Sequence, residues 1–266
     1  MNGKENSNNM CAICGSGEIF DYAEFAGDVK VVRCGDCKTL RTMPYPQLSY
    51  SENQKYCEDY VKNEPRFRGM AKDIVSVIQR HKKTGRVLDI GCAVGLVLEE
   101  AKKAGFEAEG LELNEKAVEI AVSKKLNVKK SDIKDARYAE NTFDVVVLNH
   151  VLEHILNLNE FIGLVKSILK EDGIILIGVP TYKALIPKLY KKSWGGWVLG
   201  EHIWHFDEKS LCGILSQHNM KISEILKSSL YYPFSKSFRK NIMGIIARLG
   251  LLMGMGDQLV IVVSNQ

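Results

Sequence analysis

Apolar residues follow two alternating rhythms along this chain. Compact β-type runs lie at Arg86–Ile90, 106–112 and 143–148, and between them apolar residues return every three or four positions, as at Val94, Val97, Leu98 and Ala101. The first rhythm predicts strands and the second amphipathic helices. A strand at Arg86–Ile90 therefore runs through the turn Gly91 to Gly95 into a helix over 94–104. A second strand covers 106–111 and ends in Glu112, Asn114 is placed to cap a helix reaching Lys125, and Val128 opens a short third strand followed by Asp132. The run 143–148 is continuously apolar, as expected of a parallel strand buried on both faces. A helix over 158–169, a turn at Asp172-Gly173 and a fifth strand over 174–179 stopped by Pro180 come next. The stretches 221–226 and 258–263 read as sixth and seventh strands. Upstream, Phe67, Met70, Ile74, Val77 and Ile78 fit one face of a helix ending near His81, with Gly85 as its stop. His81 reads as a cation at that helix end. The alternation predicts an α/β fold.

The turn at 91–95 is where chemistry is expected. Glycine there permits positive φ and close approach of backbone to a ligand, and the free N–H groups of the next helix start can hold an anion. A dinucleotide fingerprint needs G-x-G-x-x-G, whereas this turn reads Gly91-x-Ala93-x-Gly95 followed by Leu96. Glu112 places a carboxylate at the tip of the second strand, where it could accept both hydroxyls of an adenosine ribose; a nicotinamide or another adenosine cofactor would use that acid alike.

VLDIGCAVG at 87–95, GLELN with its Glu112, and FDVVVLNHVLEH at 143–154 resemble the class I S-adenosylmethionine (SAM) methyltransferase family over roughly residues 66 to 264. The resemblance implies a Rossmann-like seven-stranded sheet with helices on both faces, the last strands closing it with one antiparallel partner. It implies that Asp89, Gly91, Cys92, Ala93 and Gly95 line the methionine part of SAM and that Glu112, with Leu113, holds the ribose. Asp132 and Ile133 would flank the adenine, and Asn149 with His150 would close the pocket. Ala93 departs from the family, which more often has glycine there. As a side chain Cys92, like Cys212, reads as a small core residue.

The 266 residues, 45% hydrophobic, suffice for one large domain with an appendage. Thirty-six basic against 32 acidic residues give a net charge of +4, scattered along the chain, so the footprint of a dedicated nucleic-acid binder is missing. The first nine residues are polar and read as a frayed tail, neither signal peptide nor membrane span, and a cytoplasmic protein is expected. Of seven cysteines, four form two C-x-x-C pairs, Cys11/Cys14 and Cys34/Cys37. That spacing predicts a closed structural zinc site in a small ribbon or knuckle, with redox or incidental pairs as the alternative. Residues 1–46 are thus expected to be a tail and zinc-binding module, 47–65 a linker or lid segment with a rigid Met43-Pro44-Tyr45-Pro46 entry and Tyr50, Tyr56 and Tyr60, and 66–266 the methyltransferase domain.

Three further stretches stand out. His150-Val151-Leu152-Glu153-His154 spells the H-x-x-E-H of inverted zinc proteases, but directly after a core strand it reads as a decoy. Residues 194–206 concentrate all three tryptophans with His202 and His205, predicting a substrate lid within 181–206 built on exposed loop aromatics; plain covering of a sheet edge is the alternative. This stretch also resembles the W…H-x-x-HF segment of methyltransferases that act on sugars and other small metabolites. Residues 242–255 are apolar, too short to span a bilayer, and flanked by Lys236, Arg239, Lys240 and Arg248; a membrane-surface helix, a homodimer contact and simple packing all fit.

Methyl transfer to an uncharged acceptor requires proton removal, and His154, His202 and His205 are the candidate bases. The expected activity is SAM-dependent methylation of a small molecule, a sugar, nucleotide-sugar or related metabolite. A ribosomal-RNA base methyltransferase using the zinc module for recognition, and a non-catalytic SAM-binding or zinc scaffold protein, are the alternatives.

Overall fold

The computed structural model describes residues 10–46, 54–229 and 238–265, with side chains at all of these except 54–56 and 238–241. The expected tail at 1–9, together with Tyr50 and Lys236, lies outside the described residues, as do the side chains of Tyr56, Arg239 and Lys240. In chain order the elements are β1 (Ile19–Glu24), β2 (Lys30–Cys34), β3 (Leu40–Met43), α1 (Gln54–Lys62), α2 (Glu64–His81), β4 (Arg86–Ile90), α3 (Leu96–Lys103), β5 (Glu107–Glu112), α4 (Glu115–Ser123) and β6 (Asn127–Lys130). There follow α5 (Ile133–Ala136), β7 (Phe143–Asn149), α6 (Leu158–Ile168), β8 (Leu169–Pro180), α7 (Leu185–Tyr190), β9 (Trp204–His205), α8 (Glu208–Gln217), β10 (Met220–Ser228), α9 (Phe238–Leu252) and β11 (Gln258–Asn265).

Among the described residues the strands make two sheets, β1-β2-β3-β9 and the seven-stranded β10-β11-β8-β7-β4-β5-β6. The expected Rossmann-like α/β architecture is therefore present. Strand β4 pairs in parallel with both β5 and β7, and β5 in parallel with β6. The chain steps outward from β4 to β5 and β6 and then returns to β7, so the order reverses beside β4, the place where ligands bind in such sheets.

The contacts divide the chain into two compact units, one of Met1–Leu48, Leu152–Glu160 and Gly178–Ile261, the other of Ser49–Val151, Phe161–Ile177 and Val262–Gln266. In the second unit, Val145, Val146 and Val147 of β7 are fully buried, each such side chain contributing about 1.5–3 kcal/mol. Helix α2 has Glu64 and Pro65 in its first turn and ends with Arg80 and His81; the acid and the basic residues suit the two ends of the dipole, and proline suits a first turn whose N–H groups lack helical partners. It is clamped to α3 by Arg68, whose guanidinium pairs with Glu99 at 2.9 Å and Glu100 at 2.8 Å. A smaller cluster of Cys57, Ala71, Val94, Leu96 and Ala117 is closed by Phe67 and by Tyr60, whose rings stack at 4.0 Å.

In the first unit the core holds Val31, Leu40, Tyr182, Ile186, Trp194, Trp197 and Ala247. The aromatics expected on an exposed loop at 194–206 are instead buried, Trp194 to 4%, Trp197 to 8% and Trp204 to 1%. The reason is strand β9, which pairs antiparallel with β3, Leu40 opposite His205 and Arg41 opposite Trp204, and draws the segment into a core. Helix α9 packs Met243, Ile246 and Ala247 inward and leaves Ile245 and Leu249 exposed. Among the described residues no helix is long and apolar enough to cross a membrane.

Two boundaries differ from the sequence reading. Helix α3 starts at Leu96 because Gly95, at φ 81°, sits in left-handed backbone that a helix cannot contain. Strand β8 starts at Leu169 and runs through Asp172-Gly173, where sheet pairing overrides the local turn signal.

Candidate active site

In the second unit the chain leaves β4 through a turn with three left-handed residues, Gly91 at φ 74°, Ala93 at φ 49° and Gly95 at φ 81°. A Cβ on Gly91 would meet Val151 Cγ2 at 2.9 Å, and one on Gly95 would overlap the Leu126 side chain. Both glycines are thus required by space and by backbone conformation. Ala93 takes the left-handed conformation without being glycine, at a cost of about 1–3 kcal/mol that its surroundings must offset. The N–H groups of Gly91 and Cys92 both donate to the Leu111 carbonyl, at 2.8 and 3.0 Å, which holds the turn against the end of β5.

The carboxylate at that end organises the turn. Glu112 is 7% exposed; its Oε2 accepts the Ala93 N–H at 2.9 Å, and its Oε1 accepts the Leu113 and Asn114 N–H groups at 2.8 Å each. Charge-assisted bonds of this kind fix a carboxylate and leave its remaining lone pairs for hydroxyl donors. Asn114 caps α4 by accepting the Ala117 N–H at 3.0 Å, and the Cys57 thiol donates to the same oxygen at 3.2 Å. Leu113 is 46% exposed, an apolar surface beside the carboxylate suited to a base ring. The Ser131 N–H donates to the Glu112 carbonyl at 3.2 Å, which keeps 131–133 beside β5. There Asp132 caps α5 through the Asp135 N–H, and Ile133 is buried. Asn149 ends β7, and His150 follows at φ 59°.

Asp89, one residue before the end of β4, is buried, and burial followed by the charge of Glu112 pushes its carboxyl up to about 8. A cationic ligand group would restore its charge. Burial first, and then Asp89, likewise raise the Cys92 thiol. A turn with exposed apolar surface, a hydrogen-bonded ribose-type carboxylate and a second carboxyl suited to a cation fits SAM, which carries an adenosine, an amino group and a sulfonium.

The three candidate bases lie together in the first unit. The His154 and His202 rings are 4.7 Å apart at 72°, and those of His202 and His205 are 6.2 Å apart. His154 is half-buried, in a single 3₁₀ turn at Leu152–His154, and its Nδ1 lies 3.1 Å from the Glu201 carbonyl, which only a protonated Nδ1 can use. In the neutral imidazole the lone pair is then on Nε2. His205 is buried, with Nε2 2.9 Å from Thr42 Oγ1, while that hydroxyl donates to the His202 carbonyl at 2.8 Å. The hydroxyl has one proton, so His205 Nε2 is the donor. Burial, then the neighbouring His202, push His205 down to about 3, which keeps it neutral. The H-x-x-E-H stretch is not a continuous helix, since His150 is left-handed and only Leu152–His154 form a turn. Sequence reasoning passed over Glu153, set aside with that motif, and Thr42 and Cys57, which carry no motif at all.

Also in the first unit, the sulfurs of Cys11, Cys14, Cys34 and Cys37 all lie within 4.8 Å of one another, Cys11 to Cys37 at 3.6 Å and Cys14 to Cys34 at 3.5 Å. Tetrahedral zinc–sulfur bonds of about 2.3 Å place sulfurs about 3.8 Å apart, so the set fits zinc.

Comparison with known proteins bears on this geometry. A family model described as "Methyltransferase domain" matches residues 63–225. An uncharacterized protein of Methanocaldococcus jannaschii is 28% identical over 139 residues, 52% of this chain and 66% of that protein. A ubiquinone biosynthesis O-methyltransferase of Pelagibacter ubique is 28% identical over 159 residues, 54% of this chain and 64% of that enzyme. The matches thus span just under two thirds of each of these two curated relatives. A solved structure from Thermotoga maritima, titled a SAM-dependent methyltransferase and possible histamine N-methyltransferase, has a TM-score of 0.60 at 16% identity, covering 80% of this chain and 97% of that one. At that identity it supports the fold alone. With the family model spanning more than half of its length, the chain belongs to the SAM-dependent methyltransferases.

Proposed function

We propose that the protein methylates a small-molecule acceptor, a sugar, nucleotide-sugar or related metabolite, through an oxygen or nitrogen that loses a proton during transfer. The observation that carries this reading is the histidine cluster, with His154 half-buried and its Nδ1 committed to the Glu201 carbonyl, so that Nε2 faces outward from that bond as an acceptor. Only Val151 separates His150, at the expected cofactor pocket, from the turn that carries His154 in sequence.

Bound SAM supplies an electrophilic methyl group on a sulfonium. On this reading Asp89 faces its cationic end, Glu112 accepts its ribose hydroxyls, and Asp132 with Ile133 borders its adenine. Gly91, Cys92, Ala93 and Gly95 give it close backbone contact, Leu113 an apolar wall, and Asn149 with His150 the far side. The cluster of His154 and His202 takes the proton from the acceptor, and His205 holds the neighbouring strand in place as a neutral donor. Cys11, Cys14, Cys34 and Cys37 hold a structural zinc ion. Residues 1–46 are assigned to a tail and zinc module, 47–65 to a linker, and 66–266 to the methyltransferase domain.

The test is to incubate the protein with methyl-labelled SAM and extract separated into RNA and small-metabolite pools. Label in the metabolite pool supports this reading. Label in RNA replaces it with RNA methylation, in which the cysteine module would take part in recognition.

A further inference from the structure

We infer that Glu153, His154 and His202 form a second metal site, for a divalent transition ion, distinct from the four-cysteine site. One ligand atom from each of the three lies within 4.8 Å of the others. Two imidazoles and one carboxylate are the donor set that zinc and its first-row neighbours take in open sites, with remaining positions left for oxygen. Small side-chain rotations bring such atoms to the roughly 3.4 Å spacing expected around a tetrahedral ion with bonds of about 2.1 Å.

Four observations make this a built arrangement. Glu153 is 1% exposed and His202 7%, so a carboxylate and an imidazole sit together away from water, a setting in which a coordinated cation is screened little and held strongly. The His154 Nδ1–H is held by the Glu201 carbonyl, the outer hydrogen bond that metal-ligating histidines characteristically make, and it makes Nε2 the ligating nitrogen. The Ile203 N–H donates to the Glu153 carbonyl at 2.8 Å, and Trp204 Nε1 donates to the Ile155 carbonyl at 2.7 Å. Those two bonds lock the 3₁₀ turn to the segment bearing His202 before any ion arrives. Thr42 Oγ1 fixes the same segment by donating to the His202 carbonyl.

The motif at 150–154 thus contributes its last two residues, and the third ligand comes from 48 positions further along the chain. A single-chain pattern search cannot see that combination.

This inference rests on the proposed function for one clause only and gives His154 and His202 the role of ligands in place of proton acceptors: the ion would lower the pKa of an acceptor hydroxyl, so the acceptor would offer an oxygen donor. In that step the acceptor O–H gives its proton to solvent or a basic side chain. The oxygen then bonds to the methyl carbon as the carbon–sulfur bond breaks, and the electron pair stays on sulfur, which leaves as a neutral thioether.

The experiment is cobalt(II) titration of the full-length, metal-depleted protein, followed by visible absorption and elemental analysis. Binding at the cysteines gives an intense thiolate-to-cobalt charge-transfer band; an ion held by imidazole and carboxylate gives only weak d–d bands. The unaltered protein is expected to take up about two equivalents, while His202→Ala and the near-isosteric Glu153→Gln take up about one and keep the thiolate band. SAM binding and the thiolate band together report that each variant is folded. Uptake of one equivalent by the unaltered protein, or equal uptake by all three proteins, overturns the site. Label transfer to metabolites that survives unchanged in Glu153→Gln overturns the activating role. Absence of label in every pool, with two equivalents bound, overturns the small-molecule reading and leaves the metal site supported.

Discussion

The Glu112 carboxylate accepts the backbone N–H of Ala93 across 2.9 Å, joining the tip of one parallel strand to the left-handed turn after the next. One oxygen serves that turn while the other serves the Leu113 and Asn114 amides, so a single side chain ties the turn after β4 to the residues that lead into α4. Glu112→Gln puts an amide where three N–H donors converge. Stability is expected to fall by about 1–3 kcal/mol and SAM affinity by about tenfold or more. Thermal unfolding and isothermal calorimetry measure the two separately; unchanged affinity would remove Glu112 from the ribose.

Asp89 carries a pH signature. Its folded pKa of about 8 lies above the ordinary carboxyl value of 3.8, so between those values the native state binds the extra proton. Its contribution therefore lowers stability as pH rises from about 4 to about 8 and is level outside that window. Asp89→Asn should flatten this slope in chemical denaturation of the ligand-free protein. If SAM's cationic end draws the carboxyl into its ionised form, binding near pH 7 releases a proton from this group, visible as a buffer-dependent binding enthalpy that the variant lacks.

Gly95→Ala places a methyl group into the Leu126 side chain at φ 81°, combining a clash with left-handed strain. A loss of roughly 2–4 kcal/mol is expected from denaturation curves, with weaker SAM binding. A loss below about 0.5 kcal/mol would mean that the turn relaxes freely.

Cys14→Ser removes one of four sulfurs held within 4.8 Å. The variant should contain about one equivalent less zinc than the unaltered protein and unfold at lower temperature, whereas a chelator should destabilise the unaltered protein and leave the variant little changed. Equal zinc content in both would discard the four-cysteine site.

His154→Ala is expected to slow turnover by about 10²–10⁴-fold while changing SAM affinity by less than about twofold. Parallel loss of both quantities would assign His154 to holding the fold. The comparison with His205→Asn is informative, because His205 is buried and bonded to Thr42, and its replacement should cost stability before it costs chemistry.

The parallel-sheet half of the molecule was legible because its signals are local. Alternating rhythm located the strands, and glycine spacing with an acid seventeen residues on picked out the left-handed turn and the carboxylate that braces it. Asn114 announced its helix as a cap, and its side chain does accept the Ala117 N–H. The 194–206 segment was less legible. Tryptophans beside histidines read as a binding loop, but two residues of β-pairing to a strand 164 positions earlier turn that loop into core, and no local pattern encodes such a partner. The grouping of Glu153 with His202 was hidden for the same reason. The extension of β8 through Asp172-Gly173 is a case of pairing overruling a turn dipeptide.

Strand β3 has neighbours on both sides: β2, at whose end Cys34 lies, and β9, which carries His205. The cysteine-bearing hairpin is therefore woven into the same sheet as the histidine segment, and it cannot be trimmed or exchanged as a cassette. Cutting the chain after residue 46 to obtain a minimal enzyme would strip β9 of its partner and Thr42 from His202 and His205, leaving a raw sheet edge where the histidines should be held.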